Sequence, residues 1–280
     1  MINIYRTHLN FECKNGEFPL GKRTYIMGIL NVNPDSFSDG GKYLASEAAL
    51  ARAKQMLYEG ADIIDIGGES TRPGYEAVPK EIELERVIPV INRIRQELSS
   101  TVMISIDTQK AEVARLAMEA GANIINDIWG LQGDVEMAEV AAKTDAGIII
   151  MHNSDTGEYS DIIDDMKMFF ERSLETAEIA GISEARIALD PGIGFGKTFD
   201  NNIEVLSRLE ELNSFGLPIL LGTSRKRFIG EILNCSPEDR LEGTLASNIL
   251  GIVAGADFLR VHDVKEMRRA ANISDEILRR

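Results

Sequence analysis

Three residues of acid or amide type stand where apolar runs end. Asp107 closes VMISID, Asn126 sits in NIINDI, and Asp190 follows RIAL. A carboxylate at the floor of an apolar pocket accepts two hydrogen bonds from an amino-pyrimidine edge. Asp107 and Asn126 could serve the same ring system, and the three resemble a heterocycle-binding floor more than a metal site. A hard cation needs clustered oxygens with waters, and only Asn31 with Asp35 offers that, near the first long loop. A second group is basic. Arg225, Lys226 and Arg227 follow PILLGTS, while Arg260 and His262 lie within DFLRVHD. Arg presents a fork to phosphate oxygens and Lys a point charge, so the two runs together suit an anion. An unpaired Arg260 inside an apolar strand would be costly, so it needs a partner or a ligand.

Each residue also has a structural reading. Asp107, just before QKAEV, could be a helix N-cap. Asn126 could satisfy loop backbone groups. Arg227 could belong to a solvated basic run. A coincidence across eight run ends is harder to explain in that way, since Ser36, Glu69, Ser70, Thr71, Arg72, Asp127, His152, Asn153, Ser224 and Asp263 stand at such ends too. Lys226 could instead be the Schiff-base nucleophile of an aldolase, which leaves the heterocycle floor unexplained. GIGFGK (192–197) is rich in glycine but fits no phosphate-loop spacing. Phe195 within it reads as a pocket wall.

The elements that must position these residues repeat eight times. Short runs rich in Ile and Val, at 24–32, 62–68, 102–108, 123–128, 147–152, 186–192, 218–224 and 257–263, lack polar alternation. That suits strands buried on both faces of a parallel sheet. Stretches with helical spacing lie between them. In 80–98, Leu84, Val87, Ile88, Ile91, Ile94 and Leu98 form one stripe, with Pro89 expected to kink or delay the helix. Gly60, Gly121 and Gly255 follow helical stretches as C′ residues. Eight such units predict one α/β domain, a closed (β/α)8 TIM barrel over 21–280, rather than a doubly wound sheet. Residues 1–20 are expected to form an extension, with a possible hairpin across the barrel bottom. The loops at 31–43 and 67–79 are long and hold Gly and Pro, the profile of mobile lids.

A chain of 280 residues is long for one domain but ordinary for a barrel. The formal net charge of −15 disfavours nucleic acid and anionic membrane as partners. It leaves room for a small anionic ligand held by a local cluster of donors. Cys13 and Cys235 form neither a disulfide framework nor a metal spacing, which fits a reduced, cytoplasmic setting. The first residues lack a signal-peptide pattern, and no apolar run is long enough for a membrane helix.

The segments NVNPDSFSDGG, DIGGESTRPG, ISIDT, IINDI, LDPGIGFGK, SRK and RVHDV, in that order from about Met27 to Val264, resemble the dihydropteroate synthases of folate biosynthesis. That family joins 6-hydroxymethyl-7,8-dihydropterin diphosphate to 4-aminobenzoate and releases diphosphate. The resemblance implies that Asp107, Asn126, Asp190 and Lys226, with Thr71, hold the pterin. It gives the diphosphate to Arg260 and His262, with Asn31 on a Mg²⁺ ion. It gives the aminobenzoate to Thr71, Pro73, Phe195, Lys226 and Arg227, and catalytic roles to Asp107, Lys226, Asp35 and Arg72. It further implies a homodimer through late helices, although the stripe Leu241, Leu245, Ile249 and Ile252 is expected to pack on the barrel. Two departures stand out. Asn33 replaces a common Thr, and Arg227 replaces a common Ser, which removes a hydroxyl from the benzoate side. A methyltransferase acting on methyltetrahydrofolate would share the pterin floor but has no use for the basic cluster.

Overall fold

The computed structural model of the chain describes residues 10–32, 41–69, 78–155 and 157–279. Eight parallel strands alternate with helices. In chain order they are β3 (Tyr25–Asn31), β4 (Ile63–Gly67), β5 (Met103–Asp107), β6 (Ile124–Asp127), β7 (Gly147–Met151), β8 (Ile187–Asp190), β9 (Leu220–Leu221) and β10 (Phe258–Val261). Each pairs with the next, β10 returns to β3, and a Leu189–Ile219 bridge joins β8 to β9, so the sheet closes. The order is that of a (β/α)8 barrel. Ahead of it, β1 (Asn10–Cys13) and β2 (Gly16–Pro19) form an antiparallel hairpin.

Alternate residues of every strand divide the core in two. Ile64, Ile66, Ile104, Ile106, Ile148 and Ile150 face outward and pack against the helices. Met27, Ile63, Ile124, Ile149, Leu220 and Phe258 face inward at the bottom, where Phe11 and Phe18 of the hairpin join them. Phe258 lies edge-on to Phe11 and Phe18, at centroid distances of 5.4 and 5.5 Å, and stacks on Tyr25. Gly147 makes this seat possible, because a Cβ there would stand 2.8 Å from Cys13 Cβ and 2.9 Å from Phe11. Above that layer the inward residues turn polar: Asp65, Ser105 and Arg260, then Asp107, Asn126 and Asp190. Both faces of each strand are thus buried. Polarity changes along the strand instead of alternating across it, as parallel barrel strands require.

Helix α2 (Lys80–Glu97) is continuous through Pro89, which neither ends it nor delays its start. The proline removes one hydrogen bond, and burial of Val87, Val90, Ile91 and Ile94 outweighs it. Glu83 is also fully buried on that helix. Helix α8 (Leu241–Val253) packs Leu245, Ile249 and Ile252 on the core as expected, buries Thr244, Ser247, Asn248 and Gly251 beside them, and points Leu250 and Val253 outward.

Candidate active site

The polar layer opens at the C-terminal ends of the strands into a cavity lined by Asp107, Asn126, Asp190, Phe195, Lys226 and Arg260. Asp107 and Asn126 are register partners on β5 and β6, and each is nearly buried. Asp107 is not a helix cap. Helix α3 (Ala111–Ala120) begins three residues past Thr108, and the Ala111 N–H donates to Asp134 Oδ2 instead. Asp107 turns inward and accepts from Arg260 Nη2 at 2.5 Å. Among the described residues its other oxygen, Oδ1, has no hydrogen-bond partner, nor has Asn126 Oδ1. Buried acceptors without donors are rare in folded proteins and call for an occupant. Asp127, the next residue, faces away and accepts from the Trp129 and Leu131 N–H groups, so its role is to shape the loop.

Arg260 finds the partners its strand position demands. Nε donates to Asp65 Oδ2 at 2.7 Å, while Nη2 reaches Asp107. Burial pushes Asp107 up to about 7, and the neighbouring charges of Asp65 and Glu83 add to the rise. Arg260 and Lys226 oppose it. Burial likewise raises Asp190, whose Oδ1 accepts from the Gly192 N–H at 2.7 Å.

The far wall is the segment 192–197. Lys226 Nζ lies 4.2 Å from the centroid of the Phe195 ring, within cation–π range. Gly192 (φ 66°) and Gly196 (φ 52°) let this segment lie directly on the chain leaving β7. A Cβ on either would stand 2.0 Å from His152 O or 2.1 Å from Ser154 O. Lys197 Nζ donates to the Phe195 carbonyl at 3.1 Å and to His152 Nδ1 at 2.8 Å. Burial drives His152 down to about 2, so the ring is neutral and accepts at Nδ1. The stretch after Asn153, to which its residue types alone assign nothing, covers this wall. Tyr159 donates from its hydroxyl to Gly196 O at 2.6 Å, and Asp161 caps helix α5 (Ile162–Ala180).

At the ends of β9 and β10 the five basic residues separate. Arg225 makes a two-point ion pair with Asp263. Arg227, the first residue of helix α7 (Arg227–Leu233), is 90% exposed and pairs with Glu231 one turn on. Neither lines the cavity, so the aminobenzoate role expected of Arg227 is not supported by its position. Lys226 and Arg260 do line it. Ser224 Oγ accepts from the His262 N–H at 3.1 Å and lies 3.0 Å from Nδ1. Ser224 thus holds both the backbone and the ring of His262 at the end of β10.

Asn31 ends β3 beside Gly67. A Cβ on Gly67 would stand 3.6 Å from both Asn31 Oδ1 and Asp107 Oδ2. Among the described residues no group of three or more His, Cys, Asp or Glu is arranged to hold a metal.

The pterin binding enzyme family matches residues 27–262. Dihydropteroate synthase from Clostridium beijerinckii is 52% identical over 94% of this chain and 98% of its own length. That from Bacillus subtilis is 53% identical over 92% and 90%. The chain is a pterin binding enzyme of the dihydropteroate synthase family. Among solved structures, the dihydropteroate synthase of Clostridium difficile, in the presence of pteroic acid, superposes with a TM-score of 0.91. It is 55% identical and the match covers 94% of this chain and 100% of that one. The Xanthomonas albilineans dihydropteroate synthase with 4-aminobenzoic acid gives 0.90 at 41% identity, covering 97% and 98%.

Of the residues that dihydropteroate synthase likeness singles out, Asp107, Asn126, Asp190, Phe195, Lys226 and Arg260 converge on one cavity. Asp35, Thr71, Arg72 and Pro73, like Asn33 and Ser36, lie outside the described residues. Three buried groups beside the cavity had gone unnoticed: Asp65, Glu83 and Lys197. Asp65 was detectable, because an ionisable residue inside DIIDIGG is the signal that picked out Arg260. Glu83 accepts from Lys110 Nζ, which also bonds Glu69, and Glu69 in turn accepts from the Val78 N–H.

Proposed function

We infer that the chain is a transferase that joins 6-hydroxymethyl-7,8-dihydropterin diphosphate to 4-aminobenzoate, giving 7,8-dihydropteroate and diphosphate in folate biosynthesis. The observation that carries the reading is the pair of orphaned oxygens, Asp107 Oδ1 and Asn126 Oδ1, in a cavity that Asp190, Lys226 and Arg260 also line. A pterin edge offers N–H donors of the kind those acceptors lack. Arg260 and His262 suit the diphosphate end, where negative charge grows as the C–O bond breaks. Donors fixed before that moment act more strongly on the transition state than on the substrate. The pterin methylene gains cationic character in the same step, and an ionised Asp107 is placed to stabilise it. An aromatic amine is nucleophilic without help, so the attack needs no strong base. Phe195 and Lys226, with Thr71, Arg72 and Pro73, would flank that amine, and Asp35 would complete the site from the first long loop.

Mg²⁺ fits the residues present. The ion takes few protein oxygens and prefers phosphates and waters, and Asn31 Oδ1 faces the open cradle at Gly67. Asn31 would hold it, and when bound it would neutralise charge on the diphosphate. A homodimer through α7, α8 and the last helix, α9 (Val264–Leu278), is supported by outward Ile232, Leu250, Val253, Ile273 and Ile277. Sedimentation that finds monomer alone would overturn it. No described helix is long and apolar enough to cross a membrane, and free Cys13 and Cys235 suit a reducing, cytoplasmic setting. The deciding assay is diphosphate release with both substrates present. Release that needs 4-aminobenzoate is expected, and no release from well-folded protein would sink the reading.

A further inference from the structure

Asp65 is fully buried on β4, inside the barrel. Its Oδ2 accepts from Arg260 Nε, and its Oδ1 has no partner, like the Ser105 hydroxyl next to it in register. A buried carboxylate served by one donor is costly, and an apolar side chain would fill the place without that cost. Arg260 does not need it for pairing, since Asp107 is already within reach. An arginine fork and a carboxylate tend to close on each other through two parallel bonds. Here they do not. Asp107 belongs to the layer above, because Gly67, two residues beyond Asp65, is its register partner. The fork is stretched between the two layers, with Nε held below and Nη2 above. Asp107 Oδ1 is left without a donor as a result.

We propose that Asp65 is a positioning residue that holds Arg260 Nε and so prevents Arg260 and Asp107 from closing into a two-bond pair. The closed pair would consume both oxygens of Asp107 and turn the guanidinium away from the ligand. Asp65 thus keeps Asp107 Oδ1 open as an acceptor and keeps the outer edge of Arg260 turned to an anion. This rests on the pterin reading of the cavity.

The test is a cycle of Asp65→Asn, Arg260→Met and both together, probed by calorimetry with unphosphorylated 6-hydroxymethylpterin. Asn keeps the volume of Asp and removes its charge, so the remaining amide acceptor holds Arg260 Nε more weakly and Arg260 is drawn to the charged Asp107. Affinity should fall about 10- to 100-fold in Asp65→Asn, the range for losing a hydrogen bond to a charged group. Adding Arg260→Met should restore most of it, because no fork is left to capture Asp107. A residue that merely supports the fold predicts the same loss in both backgrounds, and that result, or no loss at all, overturns the proposal. If Asp65→Asn alone does not accumulate folded, Arg260→Met is compared with the double variant. Equal affinity supports the proposal and a further loss overturns it. Unaltered protein that binds no pterin would count against the functional reading instead.

Discussion

Lys226 Nζ stands over the face of Phe195, 4.2 Å from its centroid, on the opposite side of the cavity from Asn126. The face of the ring attracts the ammonium through its electrostatic quadrupole. Such a contact contributes about 0.5–2 kcal/mol. Phe195→Leu should raise the KM for 4-aminobenzoate about 3- to 20-fold, with a smaller change in kcat. Lys226→Ala should cut kcat/KM about 100-fold or more, as expected for a charged donor lost from a dry site. Steady-state kinetics on both variants checks the pair.

Asp107 trades stability for activity. Its folded pKa, raised to about 7, exceeds the unfolded value of 3.8. Between these values the unfolded chain releases a proton that the folded protein keeps. Stability is therefore lost as pH rises from about 4 to about 7, and the cost stays constant above that. Asp107→Asn should melt several degrees higher at pH 8 and almost unchanged at pH 3.5. The same variant should lose nearly all turnover. In the unaltered enzyme, activity should fall as pH drops through about 7, the range in which Asp107 takes up its proton.

Lys197 reaches the substrates only through the wall it ties down. Its Nζ bonds the Phe195 carbonyl and His152, and burial lowers its pKa to about 7. Lys197→Met should loosen Phe195, raising the aminobenzoate KM about 10-fold, the scale of one lost charged hydrogen bond. Binding of the pterin diphosphate measured alone should change less than twofold. An equal loss for both ligands would argue for general disruption.

Phe258 anchors the bottom layer against Phe11, Phe18 and Tyr25. Phe258→Ala should cost about 3–5 kcal/mol of folding stability. Urea unfolding should register that loss, while kcat of the remaining folded enzyme stays within about twofold, since the layer lies beneath the polar one.

Metal dependence should follow Asn31. Chelation of Mg²⁺ should abolish diphosphate release and leave unphosphorylated pterin bound. Asn31→Ala should raise the Mg²⁺ concentration needed for half-maximal rate.

The barrel and the cavity floor were legible from the residues, because each rests on a local signal repeated eight times, a β-rich run that ends in a polar residue. Helix–Gly joints at Gly60, Gly121 and Gly255 reinforce it. Asp107, Asn126, Asp190, Lys226 and Arg260 could be found in this way. What eluded that reading is set by direction, which types and spacing do not carry. Arg225, Lys226 and Arg227 are consecutive, yet only Lys226 faces the cavity, because Arg225 adopts φ 57° and Arg227 begins a helix pointing outward. Glu83 is hidden for a different reason. It stands among the charged residues of KEIELER, where nothing marks it for burial, and the cation that pairs with it, Lys110, lies 27 residues away in sequence.

The hairpin seated on Phe258 and Gly147 stoppers the barrel from below. A ring lodged on Asp107 and Asn126 has no rear door, so both substrates and both products share one mouth. Traffic through a blind shaft runs in sequence. On the proposed reading, pterin is expected to bind before aminobenzoate and pteroate to leave with its benzoate end leading.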